Sequence, residues 1–376
     1  MNLTLTLSLA SSALFLLLVL VVAGFLMFLR RCFGRPGAPR PRPKQDDAAD
    51  VECGKPVIST SKIADESAAR RYVWAEVEAM TAGFTTEVVG EGGSSTVYLG
   101  RLPDSRAVGV KVQRSSERLR RAFLQELDVL LHLRHPNIVS LVGYCADRDE
   151  GVLVFDYVPN GTLFDNLQSD KRTPLTWGQR MRIAYGVASA VAHLHGGSGG
   201  ALQIVHGDLT SSNVLLDGDL KPYLCDLGSA LVGFSAAVGP SRFLLLGSPG
   251  YADPLLLRTG VVSKKTDIYS FGVLLLELIT GTPAFVEEPA DRSHSLLTAA
   301  VGPVVRDAEG NREKVRGILD RRLEEFDEGE LMAVAAVAGR CIGDRPAMRP
   351  SMEEILGIMR DSIVSVDGGS DGKGGC

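Results

Sequence analysis

The sequence predicts an α+β fold in two lobes, a small antiparallel-sheet lobe with one helix and a larger helical lobe, preceded by one transmembrane helix. Two observations carry this prediction: an uncharged apolar run over 9–29, and a change near residue 160 from short β-rich runs to long helical patterns. The 376 residues are 45% apolar and 23% charged, which is typical of globular proteins and excludes a wholly disordered or fibrous chain. The six cysteines are too scattered for a disulfide scaffold or a zinc site.

The apolar run 9–29 is long enough to cross a bilayer, since about 20 helical residues span roughly 30 Å. A cleaved signal peptide is the alternative, but no Lys or Arg precedes the run. Arg30, Arg31 and further basic residues follow it, and the positive-inside rule places that side in the cytosol. The sequence therefore predicts a short extracellular segment 1–8 and a single-pass anchor in the plasma membrane, with the body of the chain cytoplasmic.

Between the apolar run and the first lobe, residues 30–70 are basic and rich in proline, which indicates a flexible juxtamembrane tether. Cys32 is either a palmitoylation site or a free thiol at the interface. The Gly- and Ser-rich tail 367–376 is predicted to be disordered.

The small lobe is predicted over about 84–157. Residues 96–99, 108–112 and 153–157 are β-rich runs punctuated by Gly, Pro and Asp, which is typical of short strands. One stretch, 117–133, instead places its apolar residues three and four apart and is predicted to be a helix.

The large lobe is predicted over about 158–361. Its clearest helical patterns are 181–195 and 266–280. A cleft between the two lobes is the default ligand site.

A glycine-rich turn lies between two β-rich runs at the start of the small lobe. Glycines let a backbone approach phosphate oxygens and present N–H groups to them, although glycine-rich hairpins are common without that role. The turn consists of Gly90, Glu91, Gly92, Gly93, Ser94, Ser95, Thr96 and Val97.

Five polar residues complete the candidate chemistry. Lys111 lies in a β-rich run and Glu126 in the helix that follows, so the two can form an ion pair that aims the lysine at phosphate. Asp208, Asn213 and Asp226 follow apolar runs of the large lobe. Their oxygen donors suit Mg²⁺ and a hydroxyl nucleophile, whereas any one of them alone could be an ordinary turn residue.

The order and spacing of these motifs resemble the protein kinase signature set, and specifically the plant receptor-like Ser/Thr kinases. The resemblance spans Arg71 to about Met359, and it implies a bilobal protein-kinase domain over 71–366. Further family-like runs lie at 135–139, 141–145, 159–163, 266–272 and 349–352. The implied reaction transfers the γ-phosphate of ATP to hydroxyls of protein substrates in signalling.

The resemblance also implies roles on the nucleotide side. The turn from Gly90 to Val97 covers ATP, with Val97 over the adenine. Lys111 holds the α- and β-phosphates and pairs with Glu126. Phe155 is similar to a gatekeeper, and Asp156 to Val158 form the adenine hinge.

On the transfer side, the resemblance makes Asp208 the group that accepts or orients the substrate hydroxyl. It makes Asn213 and Asp226 the ligands of Mg²⁺, with Mn²⁺ as the alternative ion. Asp267 resembles the aspartate that supports the catalytic loop from below.

Three departures from the family pattern bear on activity. Ser94 and Ser95 stand where an aromatic residue and a third glycine are usual. Gly207 replaces the arginine before Asp208, which implies the non-RD type and leaves a phosphorylated activation loop without its usual partner. Thr210 replaces a lysine that neutralises the transferring phosphoryl group.

A fourth departure affects an ion pair. Leu255 stands where the family has a glutamate that pairs with the arginine aligned to Arg349. Either another acid replaces it, for which Glu353, one helical turn beyond Arg349, is the candidate, or Arg349 is solvated.

These departures leave two main functions open: a membrane-anchored kinase that is weak or constitutive, and a nucleotide-binding pseudokinase that is a scaffold or co-receptor for other receptor kinases. A protein of this fold that binds no nucleotide is a third. The formal net charge of −5 argues against nucleic acid as a partner.

Two smaller hypotheses concern single residues. Cys225, beside Asp226, is either open to an electrophile in the ATP cleft or a small buried filler. Ser248 is either phosphorylated or in contact with the catalytic loop.

Overall fold

The computed structural model describes residues 69–196, 203–233, 247–287 and 294–363, all within the unit Ser61–Cys376. The predicted segment 1–8, membrane span 9–29 and tail 367–376, with nearly all of the tether 30–70, lie outside the described residues.

The first lobe is built on a six-stranded sheet in the order β1-β5-β6-β4-β3-β2. The runs predicted at 96–99, 108–112 and 153–157 correspond to β3, β4 and β6 to within two residues at each end. The strands are β1 (Arg70–Arg71), β2 (Val88–Glu91), β3 (Ser95–Arg101), β4 (Ala107–Gln113), β5 (Leu141–Cys145) and β6 (Val152–Asp156).

The segment before the glycine-rich turn departs from the prediction of a purely antiparallel sheet with one helix. Strand β1 adds to the edge of the sheet parallel to β5, and a short helix α1 (Trp74–Met80) follows it. Val77 and Met80 of α1 are buried in one cluster with the outer-face residues of the sheet, and this apolar burial holds the segment in place. Gly143 permits the close approach, because a Cβ there would lie 2.2 Å from the carbonyl oxygen of Arg70.

The opposite face of the sheet is covered by helix α2 (Glu117–His132), which confirms the helix predicted over 117–133. The helix begins after Ser116, whose hydroxyl accepts a hydrogen bond from the Leu119 amide at 3.1 Å. Phe123, Leu127 and Leu130 form its buried face, and Glu126 lies among them. An acidic side chain in that position needs a charged partner.

The second lobe is mainly helical, as predicted. The patterns at 181–195 and 266–280 fall within its two longest helices, α4 and α6. Helix α6 is buried on almost every side, and it is the central helix of this lobe. The helices are α3 (Leu163–Gln168), α4 (Trp177–Gly196), α5 (Pro254–Thr259), α6 (Lys264–Thr280), α7 (Leu297–Arg306), α8 (Arg312–Gly317), α9 (Glu328–Cys341) and α10 (Met352–Ser362).

Short antiparallel strand pairs frame the loops of the second lobe that carry polar residues. Strand β7 (Ile204–Val205) pairs with β10 (Leu231–Val232), and β8 (Val214–Leu216) pairs with β9 (Pro222–Leu224). A third pair joins β11 (Phe285–Glu287) to β12 (His294–Leu296). The first two pairs bracket the loops that contain Asp208 and Asp226.

The prediction of a transmembrane helix ahead of the lobes is corrected. Within the described ranges, no helix combines the length and the apolar character needed to cross a bilayer. The longest of them, α4, has 20 residues but includes Arg180 and Arg182. The prediction came from the length and apolar character of 9–29 and from the basic residues that follow it, and the described residues do not include that segment.

Candidate active site

Strand β4 directs Lys111 to the face of the sheet that α2 covers. Val108 and Val110 point to the opposite face, where they pack with α1, so period-2 alternation places Gly109 and Lys111 together. The Lys111 amino group contacts Oε1 and Oε2 of Glu126 at 2.8 and 3.0 Å. The predicted ion pair is therefore present, and Glu126 has the charged partner that its burial requires.

Asp226 joins the same group of charges from the second lobe. Its Oδ1 lies 3.0 Å from the Lys111 amino nitrogen, and its backbone is in the left-handed region with φ +62°. Such a conformation in a non-glycine residue is strained, and it occurs where the surroundings hold a functional side chain in place.

Burial and charge act in opposite directions on the pKa values of this pair. Burial alone would lower the pKa of Lys111, but the charges of Glu126 and Asp226 outweigh it and raise that pKa. Burial alone would raise the pKa of Asp226, but the Lys111 charge and hydrogen bond outweigh it and lower that pKa. Both groups are therefore held in their charged forms.

Asp208 and Asn213 lie together in the loop between β7 and β8. The Asn213 amide nitrogen donates to the Asp208 carbonyl oxygen at 2.8 Å and to its Oδ2 at 3.3 Å. The Ser248 backbone and hydroxyl both donate to Oδ1 of Asp208, at 3.1 and 2.8 Å. Ser248 therefore makes the contact with this loop that was one of the two alternatives for it.

Asp267 supports this loop from helix α6, as the sequence suggested. Its Oδ2 accepts the His206 amide at 2.8 Å and lies 2.8 Å from Nε2 of His195, while Oδ1 accepts the Gly207 amide at 3.0 Å. These hydrogen bonds outweigh desolvation and lower the pKa of Asp267, so the buried carboxylate remains charged. Gly207 itself has φ +80°, and a Cβ there would lie 2.6 Å from the Ser229 carbonyl oxygen.

Thr210 has a structural role in the loop. Its hydroxyl accepts the Asn213 amide at 3.2 Å and caps a single 3₁₀ turn, Ser211–Asn213. The side chain is buried and uncharged, so it supplies no positive charge beside Asp208.

The glycine-rich turn connects β2 and β3 as a hairpin. The Gly92 amide donates to the Ser95 carbonyl at 2.9 Å. Arg114, just beyond β4, donates to the Gly93 carbonyl at 3.2 Å and lies 3.8 Å from the Glu91 carboxylate. Arg114 was not predicted as a site residue. Its place beside the turn follows only from the register of β3 with β4, which pairs Ser95 with Gln113.

Phe155 and Asp156 end β6 at the junction of the two lobes. Phe155 is buried and is paired with Gly109 of β4 and Leu141 of β5. Asp156 pairs with Val108 through the backbone, and its exposed carboxylate lies 3.6 Å from Arg106. Val158 follows in the connection to the second lobe, half-buried.

A second hydrogen-bond network, which the sequence did not predict, anchors the loop from below. The Tyr251 hydroxyl accepts the Ser211 amide at 3.0 Å, lies 2.9 Å from the Ser211 hydroxyl and donates to the Glu277 carboxylate. Glu277 also accepts the Ala284 amide at 2.9 Å. The network joins residues far apart in sequence, so no local sequence pattern predicts it.

The acid that pairs with Arg349 is Asp253, and the prediction of Glu353 is wrong. Arg349 Nη1 and Nη2 lie 2.5 and 3.0 Å from the two carboxylate oxygens of Asp253, and both side chains are almost fully buried. Glu353 is instead exposed. Asp253 also accepts the Leu255 amide at 2.9 Å and so caps α5.

Cys225 lies immediately before Asp226, with its thiol 3.3 Å from the Asn213 carbonyl oxygen. Burial, with the neighbouring Asp226 charge, raises the pKa of this thiol to about 12. A thiol this weakly acidic favours the filler alternative over reaction with an electrophile.

The oxygen donors that could hold a divalent cation are the Asp226 carboxylate and the Asn213 amide oxygen. Asn213 uses its amide nitrogen toward Asp208, which leaves the oxygen as the ligand atom. In the described part of the chain, no cluster of three or more His, Cys, Asp or Glu side chains is placed to hold a metal by itself. Ligands from the phosphates would have to complete such a site, as is usual for Mg²⁺.

Comparison with known proteins agrees with this arrangement. The family model described as the protein kinase domain matches residues 85–358. The chain is 47% identical over 358 residues to salt tolerance receptor-like cytoplasmic kinase 1 of Oryza sativa subsp. japonica, covering 91% of this chain and 95% of the relative.

Two relatives from Arabidopsis thaliana extend the comparison. A probable receptor-like protein kinase is 40% identical over 312 residues, covering 80% of this chain and 90% of the relative. A probable serine/threonine-protein kinase is 35% identical over 304 residues, covering 79% of each chain. The expected single-pass membrane localisation is corrected, because the rice relative is named a cytoplasmic kinase and no spanning helix is found in the described ranges.

Proposed function

The chain belongs to the protein kinase family, as an ATP-dependent Ser/Thr kinase of the plant receptor-like cytoplasmic group, and from this premise we propose that it is a slow enzyme acting through Lys111, Asp208 and Asp226. The observation that carries the proposal is the position of the Lys111 amino group, within 3.0 Å of both Glu126 and Asp226. This ion pair joins the two lobes across the cleft where the phosphates would lie.

On the nucleotide side, Lys111 is the cation that binds the α- and β-phosphates. Glu126 fixes the position of the Lys111 amino group by accepting its hydrogen bond. The turn from Gly90 to Val97 covers the triphosphate, and Arg114 holds its tip. Phe155, Asp156 and Val158 line the base-binding end. Charge neutralisation and positioning account for most of the catalysis in phosphoryl transfer.

On the acceptor side, Asp208 orients the substrate hydroxyl and accepts its proton. Ser248 and Asn213 fix the Asp208 carboxylate by hydrogen bonds to its two oxygens. Asp267 holds the backbone of the same loop. These contacts orient the Asp208 carboxylate as the base for the acceptor hydroxyl.

Asn213 and Asp226 would hold Mg²⁺, or Mn²⁺ as the alternative, through their oxygens. When bound, the ion neutralises charge on the β- and γ-phosphate oxygens. Asp226 carries its negative charge throughout the neutral pH range because Lys111 lowers its pKa.

The low rate is attributed to Thr210. Its hydroxyl is committed to a backbone cap, so the loop lacks a positive charge for the transferring phosphoryl group. Losing one preorganised charge in such a site costs on the order of 10²-fold in rate. Gly207 has no side chain to bind a phosphorylated segment, so activity is constitutive rather than switched in that way.

The alternative, a nucleotide-binding pseudokinase that is a scaffold for other receptor kinases, has one observation in its favour. The backbone and hydroxyl of Ser248 already occupy Oδ1 of Asp208, the carboxylate that a substrate hydroxyl would approach. An assay of phosphoryl transfer separates the two functions.

The experiment incubates the full chain with γ-labelled ATP, Mg²⁺ and a generic protein acceptor, beside Lys111→Met. We expect labelled phosphoserine and phosphothreonine from the wild type and none from the variant. Equal labelling by both proteins, or none by either although ATP binds, would overturn the enzyme proposal.

A further inference from the structure

The segment that follows Asp226 lies between helix α2 and the loop that carries Asp208. It folds back in a turn, in which the Ala230 amide donates to the Leu227 carbonyl oxygen at 3.0 Å. Strand β10 then continues the segment and pairs with β7, which directly precedes the loop. The segment 226–232 therefore connects the cleft to the support of the catalytic loop.

Both sides of this segment are close to functional residues. On one side, a Cβ added at Gly228 would lie 3.4 Å from Oε2 of Glu126, so the backbone of the segment lies beside that carboxylate. On the other side, a Cβ at Gly207 would lie 2.6 Å from the Ser229 carbonyl oxygen. A displacement of the segment would therefore affect α2 and the catalytic loop together.

Helix α2 contacts this segment through Gln125, which lies outside the buried face of the helix. The Gln125 side-chain amide nitrogen donates to the carbonyl oxygen of Ala230, 105 residues further along the chain. Gln125 is exposed, whereas the next residue, Glu126, is buried and contacts Lys111. The hydrogen bond to the segment is therefore made one residue away from the ion pair.

The acceptor of this hydrogen bond is a backbone carbonyl, so the contact needs no phosphate group on the chain. We propose that Gln125 is a positioning residue: by binding the Ala230 carbonyl it holds α2 against the segment 226–232. Glu126 thereby stays on Lys111 in the unphosphorylated chain. This inference rests on the proposed kinase function and gives a physical basis for activity without a phosphate switch. Loss of one hydrogen bond between neutral groups changes such an equilibrium by about fivefold.

The test measures two quantities in the full chain. The first is amide hydrogen exchange of the peptide that contains 226–232, by mass spectrometry, and the second is kcat for phosphoryl transfer to a generic acceptor. Gln125→Met keeps the length and removes the donor, and we expect exchange about fivefold faster and a kcat up to about fivefold lower. Gln125→Glu places an acceptor against the carbonyl oxygen, so it should have the larger effect on both, about tenfold or more.

Two further variants separate positioning from a general loss of structure. Gln125→Lys restores an N–H donor of sufficient length and should return exchange and kcat toward the wild-type values. Asp128→Asn changes one exposed charge on the same helix, and as the matched control it should alter neither quantity. The melting temperature should be the same in all of these proteins, because Gln125 is exposed and the core is untouched.

Unchanged exchange in Gln125→Glu would overturn the inference, and so would equal losses in Gln125→Met and Gln125→Lys. A kcat that stays at the wild-type value although exchange is faster would also overturn it, because the contact would then not position Glu126. If the wild type transfers no phosphate, the proposed function falls. The exchange rates still decide whether Gln125 holds the segment, so the two failures are distinguishable.

Discussion

Asp253 and Arg349 form a buried ion pair across 96 residues of sequence, with both guanidinium Nη atoms within 3.0 Å of the carboxylate. Arg349 also donates to the carbonyl oxygens of Gly343 and Lys265. The pair fixes the start of α5, and the residues just before it include Ser248 and Tyr251, which contact the catalytic loop. An acid at 253 therefore compensates for the leucine at 255.

Asp253→Ala is expected to lower the free energy of unfolding by roughly 3–5 kcal/mol, because it leaves the Arg349 charge buried without its partner. Adding Leu255→Glu to that variant should recover part of the loss, since the acid returns to the position that related kinases use. Urea denaturation measures both effects. Glu353→Ala is the control and should leave stability unchanged. If the double variant recovers no stability, an acid at 255 cannot replace the acid at 253 as the partner of Arg349.

Nucleotide affinity should not depend on the ionisation of Lys111 and Asp226 between about pH 7 and 9. The pKa of Lys111 in the folded protein is raised above its ordinary 10.5. Its amino group is therefore fully charged below 10.5, and its contribution to nucleotide affinity is lost only as pH rises through the higher folded pKa. The pKa of Asp226 in the folded protein is lowered below its ordinary 3.8. Its carboxylate is therefore fully charged above 3.8, and its contribution to nucleotide affinity is lost only as pH falls through the lower folded pKa. Calorimetric titration of Mg-ATP across the range provides the measurement. If ATP affinity instead changed with a midpoint between pH 7 and 9, and Asp226→Asn abolished that change, the charged state of the pair would be contradicted.

Thr210→Lys is expected to raise the rate of phosphoryl transfer by about 10²-fold, because it places a cation beside the transferring group. Thr210→Met has a similar length without the charge and loses the same backbone cap. The difference in kcat between the two variants isolates the charge. Equal kcat values would show that the missing cation is not what limits the rate.

Cys225 is expected to resist alkylation in the folded protein. Burial and the neighbouring Asp226 charge raise its pKa from an ordinary 9.0 to about 12, so its thiolate fraction near neutral pH is much lower than that of a free thiol. Intact mass after iodoacetamide treatment, with peptide mapping, measures the labelling at this residue. Rapid labelling of native protein that ATP suppresses would instead support an accessible thiol in the cleft.

Local patterns in the sequence were sufficient for the elements that depend on local periodicity. The alternation of Val108, Val110 and Val112 predicted β4, and the apolar spacing in 117–133 predicted α2. The ordered motifs also predicted that Lys111 and Glu126 form an ion pair, which the structure contains.

The features that were missed depend on residues distant in sequence. Asp253 reaches Arg349 only after the second lobe has folded, and Glu353 was preferred because it is close along the chain. The addition of β1 beside β5 likewise depends on Gly143, far along the chain. The transmembrane prediction came from the length, apolar composition and basic flank of one segment, and no helix in the described ranges supports it.

In the proposed function, Asp208 acts on the acceptor hydroxyl and does not contribute to nucleotide binding. This role is measured by single-turnover transfer from pre-bound, γ-labelled Mg-ATP to a generic acceptor, in wild type and Asp208→Asn. We expect equal ATP affinity in both proteins and a transfer rate at least about 10²-fold lower in the variant. Equal transfer rates in the two proteins would show that Asp208 does not act on the acceptor hydroxyl.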